Sequence, residues 1–300
     1  MIVVVRCVVM CSIAELTACG GSGGATLDAG ADATAGPDGG ADGLAGEIIV
    51  VAGGGQAIGR GLGSNASASF PEGEPVAWHT ETARAGACRL LEYEPGFCEP
   101  ACSGVCQAPG ECRPWPALRS AGTLTVTGLT VPLALEPLPG NGYATAGGLP
   151  ETLFTRDAEV AVIASGADLP AFTVTASGVA RATTDVAEVG VVTLPPSGDL
   201  VVTWPDPDAD ARVRVTVTAG GQFHGLPSPS ILVCDGPDTG SLTMAAALVA
   251  AFPPVGRGCA KQHDCSSFGV LRYRRGAVAV GGGEIGLLVG SGTDYEVVHE

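Results

Sequence analysis

A chain of 300 residues with a formal net charge of −16 has room for one large domain or two small ones. It is too acidic to hold a phosphate backbone or to dock electrostatically on anionic lipid. Abundant glycine (46) and proline (22) with only 5% aromatic residues exclude a helical bundle and fit many short strands joined by punctuated turns.

In chain order, the first element is an address. Residues 1–18 (MIVVVRCVVMCSIAELTA) are apolar with Arg6 near the start, too short to span a bilayer and of the length of a signal-peptide core. At its end stands Leu16-Thr17-Ala18-Cys19-Gly20, the pattern of a bacterial lipobox. Small residues let a peptidase close before the cysteine, whose sulfur accepts diacylglycerol. Cys19 is therefore the expected lipidation site, and two or three acyl chains make a stable anchor where one is marginal. Residues 19–46 that follow are Gly, Ala and Asp with Asp28, Asp32, Asp38 and Asp42. They bury too little apolar surface to offset ordering entropy, so the segment reads as a disordered tether. Its r.m.s. span as a Gly-rich coil is roughly 30 Å. Gly20-Gly21-Ser22-Gly23-Gly24 matches G-x-S-x-G within it, but no strand-to-helix turn forms in such a coil, so it is not a nucleophile elbow.

From residue 47 to 300 the period is two. Ile48 to Val51 is the expected first strand. Leu124 and Val126 alternate, then the phase slips at Gly128 to Leu129 and Val131, which predicts a bulge. Phe172 to Ala176, Leu200 to Trp204 and Arg212 to Thr218 follow, the last running into Gly220-Gly221, a hairpin dipeptide. Met244 to Ala251 is the one predicted helix, capped by Thr243 and stopped by Pro253-Pro254. In the C-terminal run, Leu271/Tyr273, Val278/Val280, Ile285/Leu287/Val289 and Tyr295/Val297 alternate. Glycines at 281–283 and the stretch 290–293 divide it into hairpins. The fold class is all-β: an antiparallel sandwich or jelly roll with a Cys-rich insert at 88–116 and one short helix.

Of eleven cysteines, Cys7 and Cys11 leave with the signal and Cys19 takes lipid. Eight remain: Cys88, Cys98, Cys102, Cys106, Cys112, Cys234, Cys259 and Cys265. An even remainder reads as four disulfides in an oxidising compartment. Interleaved Cys98–Cys106 and Cys102–Cys112 avoid the smallest rings, Cys259–Cys265 suits a local loop, and subtraction leaves Cys88–Cys234. The insert is too small to own a core, so crosslinks must hold it. A zinc site fits less well, because the insert lacks C-x2-C pairs and histidine partners.

Other chemistry is sparse. Gly53-Gly54-Gly55 and Gly59-Arg60-Gly61 follow a strand, but the required helix cannot start at Asn65 to Pro71, which removes the dinucleotide reading. His79, His224, His263 and His299 are scattered and stand in no catalytic motif. Of three tryptophans, Trp204 reads as core, Trp115 lies beside the insert, and Trp78 is the one candidate for an aromatic platform. Asp206, Asp208 and Asp210 put three carboxylates at alternate positions of a turn, hard oxygen donors of the kind calcium takes. They lack the glycine and distal glutamate of an EF-hand, so the expectation is an exposed turn without a tightly held metal.

The lipobox and tether, Tyr93-Glu94-Pro95-Gly96-Phe97-Cys98 leading into Ser120-Ala121-Gly122-Thr123, and Asp238-Thr239-Gly240-Ser241-Leu242-Thr243 resemble the outer-membrane lipoproteins of myxobacteria that carry a Cys plug on a β-sandwich. The resemblance implies a lipid-anchored envelope protein and no established activity. The expected function is a structural or interaction module, non-enzymatic, with no cofactor and no nucleic-acid partner. Its expected contacts are the membrane, through lipid, and an envelope or extracellular partner. The alternative is a lipid-tethered hydrolase or carbohydrate-active enzyme.

Overall fold

The computed structural model describes residues 44–53, 64–73, 76, 77, 79–93, 98, 99, 101–108, 111–145, 148–188, 190–220, 228–256 and 266–299. The strands are β1 (Leu44–Gly53), β2 (Asn65–Ser69), β3 (Thr80–Ala85), β4 (Cys88–Glu92), β5 (Gly104–Ala108), β6 (Glu111–Pro114), β7 (Leu124–Thr127), β8 (Leu133–Leu135), β9 (Tyr143–Ala144) and β10 (Glu159–Ala164). They continue with β11 (Phe172–Ser177), β12 (Ala187–Glu188), β13 (Val191–Thr193), β14 (Leu200–Thr203), β15 (Arg212–Thr218), β16 (Ser230–Pro237), β17 (Ser241–Met244), β18 (Ser267–Val280) and β19 (Gly283–Val298). One helix, α1 (Ala246–Ala251), lies between β17 and β18.

β18 and β19 are the spine. They pair along their whole length and turn at Gly281 and Gly282, whose φ of +58° and +88° is the backbone that a two-residue hairpin demands. The main sheet runs β3-β4-β16-β15-β18-β19-β1-β2-β9. β1 pairs with the first part of β19 and β13 with its end, both parallel. The sheet is therefore mixed, where alternation alone suggested an antiparallel one; period two reports which face a residue takes, not strand direction.

Two layers cover one face of this sheet. A four-stranded sheet, β11-β10-β7-β8, packs Leu124, Val126, Val160, Val162 and Val174 onto Ile48, Val50, Ile285, Leu287 and Val289, forming the first core. The pair β14-β17 with α1 packs Val202, Leu242, Met244, Leu248 and Val249 onto Leu90, Val213, Val215, Val217, Phe268 and Val270, forming the second. Each large apolar side chain taken fully out of water contributes about 1.5–3 kcal/mol. At Gly276 an added Cβ would lie 1.7 Å from the Thr175 carbonyl oxygen, so glycine is required where β11 crosses β18.

Four sequence expectations change. β1 begins at Leu44, so the end of the segment assigned to the tether is already strand. Gly128, at φ +80°, closes β7 as part of a turn into β8 and is not a bulge. The helix starts at Ala246, because Met244 completes β17 and fills the core; its first N–H is taken by Asp199 Oδ1 at 2.8 Å, and not by Thr243. β19 is not broken at 290–293. Gly290 and Gly292 remain in the ladder opposite Tyr273 and Leu271.

Candidate functional site

The face of β18 that points into the sandwich reads Phe268, Val270, Arg272, Arg274, Gly276, Val278, Val280. Its apolar ends serve the two cores, and the two arginines form a polar septum between them. Arg272 is 1% exposed, with Nε 2.7 Å from Asp238 Oδ2. Its other nitrogens reach the carbonyl oxygens of Ala180, Pro205 and Asp206. Asp238 also accepts from the Trp204 indole N–H and the Asp208 N–H. Arg274 donates to both oxygens of Asp208, at 2.9 and 2.8 Å, and to Asp157 at 2.8 Å. Burial works against the Asp208 carboxylate, yet hydrogen bonds from Arg274 and the Asp210 N–H hold it below the usual range.

This places the three aspartates suggested for calcium. Asp206 is exposed, at φ +53°, and offers its carbonyl to Arg272; Asp208 is 5% exposed and saturated by arginine; Asp210 is exposed. They do not share one exposed turn, and guanidinium groups supply the positive charge at the one that is buried. Among the described residues no group of three or more His, Cys, Asp or Glu side chains is set to hold a metal. Arg272 and Arg274 were not singled out from the sequence, and Asp238 stood there only in a motif of the resemblance, without this role. The signal for them is that both arginines fall in the inward phase of a strand, which obliges acidic partners opposite.

On the other face of the main sheet a second charged group crosses β15, β16 and β18. Asp235 accepts from the Tyr273 hydroxyl, from Arg214 Nε at 2.8 Å and from Arg212 Nε at 2.9 Å. Burial raises its carboxyl, but Arg214, Tyr273 and Arg212 together bring it below the usual range. The Arg214 and Arg275 guanidiniums lie 5.4 and 5.5 Å from the Tyr273 ring centre. Glu47, 3.3 Å from Arg275, is pushed up by burial, which Arg275 and Arg214 only partly offset. Asp294 faces Gly269 across β18, and burial alone raises it to about 7.

Cys88 bonds Cys234 across directly opposed positions of β4 and β16, with Cα atoms 3.9 Å apart. Cys98 bonds Cys106, and Cys102 bonds Cys112. These are the pairs that spacing and subtraction singled out. The last two close a small knob whose hairpin, β5-β6, is a sheet of its own. The His79 ring lies 2.8 Å from the Ser228 carbonyl oxygen and packs edge-on to Tyr93; His299 lies 3.2 Å from the Pro253 carbonyl oxygen beside Phe252. Trp204 is core, as expected. Trp115, at 41%, is exposed. Cys19, Trp78, His224, Cys259, His263 and Cys265 lie outside the described residues. No described helix is long and apolar enough to cross a membrane.

Compared with models of known protein families and with curated protein sequences, the chain finds no match. Among solved structures it aligns with a chain from a study of host cell surface retention of a 1.5-MDa bacterial ice-binding adhesin, at 12% identity over 79% of this chain and 74% of that one, TM-score 0.20. It aligns with a tetra-tandem repeat from the extending region of a large adhesion protein at 13% identity, 84% and 74% coverage, and TM-score 0.19. A Ca2+-stabilized adhesin of an Antarctic bacterium gives 11% identity, 79% and 57% coverage, and TM-score 0.19. TM-scores this low mark no common fold.

Proposed function

We propose that the chain is a lipid-anchored, extracytoplasmic binding module of the bacterial cell envelope, held to the outer membrane through Cys19, with no enzymatic role. The observation that carries this reading is the division of the cysteines. Six of the eight that follow Cys19 are joined in disulfides, bonds that persist in oxidising compartments, while Cys19 itself ends a lipobox. The buried carboxylates Asp208, Asp235 and Asp238 are engaged by arginines that hold strands together.

The test is metabolic labelling with an alkyne fatty acid, followed by membrane fractionation and protease shaving of intact cells. Wild-type protein is expected to take up label and to sediment with the outer membrane. Cys19→Ala is expected to lose both properties. Label on both proteins or on neither overturns the anchor. Hydrolysis of an envelope substrate that one His79→Ala or His299→Ala change abolishes, with melting intact, overturns the non-enzymatic reading.

A further inference from the structure

We propose that the Asp206–Pro207 peptide bond is a self-cleavage site, cut by the Asp206 carboxylate while Arg272 receives the developing negative charge. The step acts once and on the chain itself, so it is independent of the anchored, non-enzymatic reading above.

Asp206-Pro207 is the one Asp-Pro pair in the sequence. Aspartate can close a five-membered ring on its own carbonyl carbon, and a prolyl nitrogen leaves as a basic secondary amine. A residue before proline is pushed to extended backbone, with φ about −120°, yet Asp206 stands at φ +53°. Such strain persists only where the surroundings over-determine it, and both sides of this bond are tied. The Trp204 N–H donates to the Gly240 carbonyl at 3.0 Å. The Asp208 N–H donates to Asp238 Oδ2 at 2.9 Å, and Arg274 grips both oxygens of the Asp208 carboxylate.

The carbonyl and the carboxylate of Asp206 meet opposite surroundings. The carbonyl oxygen accepts from Arg272 Nη2 at 3.1 Å. That guanidinium is 1% exposed and is fixed through Nε to Asp238 at 2.7 Å. A buried, pre-oriented donor at this distance stabilises an oxyanion. The Asp206 side chain is exposed, and among the described residues its carboxylate has no hydrogen bond or ion pair. It is free to turn onto the carbonyl carbon. Nucleophile and target belong to one residue, so no encounter entropy is lost.

In the first step a carboxylate oxygen bonds to the Asp206 carbonyl carbon, and the C=O π pair moves onto the oxygen that faces Arg272. Collapse of this adduct breaks the bond to the Pro207 nitrogen, which keeps the pair and takes a proton from water. The cyclic anhydride left on Asp206 adds the resulting hydroxide and opens to two carboxyl groups. One of them gives its proton to the Pro207 amine. One water is consumed, and nothing is oxidised or reduced.

The cut leaves β1–β14 on one piece and β15–β19 on the other. Cys88–Cys234 joins the two pieces, and β4 pairs with β16 and β1 with β19 across the division. The product is a sandwich of two chains that stay together.

The test is incubation of the full disulfide-bonded chain at neutral pH, sampled over days and weighed by mass spectrometry before and after reduction. Expected are a gain of one water before reduction and two pieces after it, one of them beginning Pro207-Asp208-Ala209. The same chain unfolded in urea is expected to cut about tenfold more slowly or less, which separates the action of the fold from the ordinary lability of an Asp-Pro bond. Asp206→Ala is expected to abolish the cut, and Asp206→Glu, which must close a six-membered ring, to slow it strongly. Arg272→Lys is expected to bring the folded rate down toward the urea rate; if that variant does not fold, the wild-type comparison in urea still decides. No cut at this bond, a cut as fast in urea as in the folded chain, or a cut that Asp206→Ala leaves intact overturns the site.

Discussion

Among the residues from Cys98 to Trp115 whose side chains are described, Val105 is the one buried hydrophobic side chain, and two disulfides close the stretch. The sandwich beside it fills two large apolar cores and two smaller clusters, and holds a single described disulfide, Cys88–Cys234, inside the second large core. Burial gives the body its order, and covalent bonds give the knob its order. The knob carries Glu111 and Arg113 on an exposed strand with exposed Trp115 after it, whereas inside the body Arg272 and Asp238 stand buried and paired, and Arg274 pairs with buried Asp208.

The largest test of this contrast is the one disulfide inside the body. Its ends are 146 residues apart, and in the chain-entropy model so long a loop contributes about 5 kcal/mol by restricting the unfolded chain. Cys88→Ser with Cys234→Ser is expected to lower the urea midpoint toward that limit. The denaturant slope should rise, because the freed unfolded chain exposes more surface. An unchanged midpoint would show that the β4-β16 pairing needs no covalent help.

Next in size is the septum. Arg272→Met leaves Asp238 charged and buried without its partner, a loss of about 3–5 kcal/mol. Removing the charge opposite as well, with Asp238→Asn, is expected to recover part of it, since the amide oxygen still accepts from the Trp204 and Gly240 N–H groups while the Asp208 N–H loses its acceptor. If the single change costs no more than a surface substitution, the septum is not what joins the two cores.

A third test uses pH. The Asp294 carboxyl is raised to about 7 from a usual 3.8, so between those values the folded state holds a proton that the unfolded state has released. Stability from this group is full below about pH 4 and is lost as pH rises through 7. The difference amounts to at most about 4 kcal/mol, less whatever its solvent contact screens. Asp235 and Asp208 act in the opposite sense: their lowered carboxyls add stability above the usual value that is lost as pH falls. Asp294→Asn is expected to raise the melting midpoint at pH 7.5 and leave it unchanged at pH 4. A parallel pH profile in the two proteins would sink the assignment.

The strands were legible wherever one face was apolar and the other polar, as in Arg212–Thr218 and Phe172–Ser177. What hid the spine was its double duty. β18 gives one end to each core and puts Arg272 and Arg274 between them in the inward phase, so a continuous strand reads as two broken ones. The glycines at 290 and 292 read as turns, yet in β19 they keep the side facing Leu271 low; a Cβ on Gly290 would come within 2.8 Å of it. Parallel pairing of β1 and β13 on one edge of β19 leaves no mark in alternation. The three described cysteine pairs were legible by arithmetic, and the exposure of Trp115 was not, because nearness to a Cys-rich insert says nothing of exposure.

The smallest expected effect separates the two regions most cleanly. Cys88 and Cys234 are 1% and 0% exposed, whereas Cys112 is exposed and its partner Cys102 half-buried. A mild thiol reductant should therefore open the knob bonds first. Bridges with sequence separations of 8 and 10 residues are worth roughly 2.5–3 kcal/mol each against loop opening. That energy enters global stability only if the knob unfolds together with the body. An ordered stretch with one buried apolar side chain contributes little to either large core, so its opening is local. Partial reduction and alkylation should label the four knob thiols, with hydrogen exchange speeding up in 98–115. The melting midpoint of the sandwich should shift by no more than the roughly 0.5 kcal/mol of a surface change. If the midpoint falls in step with knob alkylation, the knob is part of the body's cooperative unit, and the division between covalent and hydrophobic order fails.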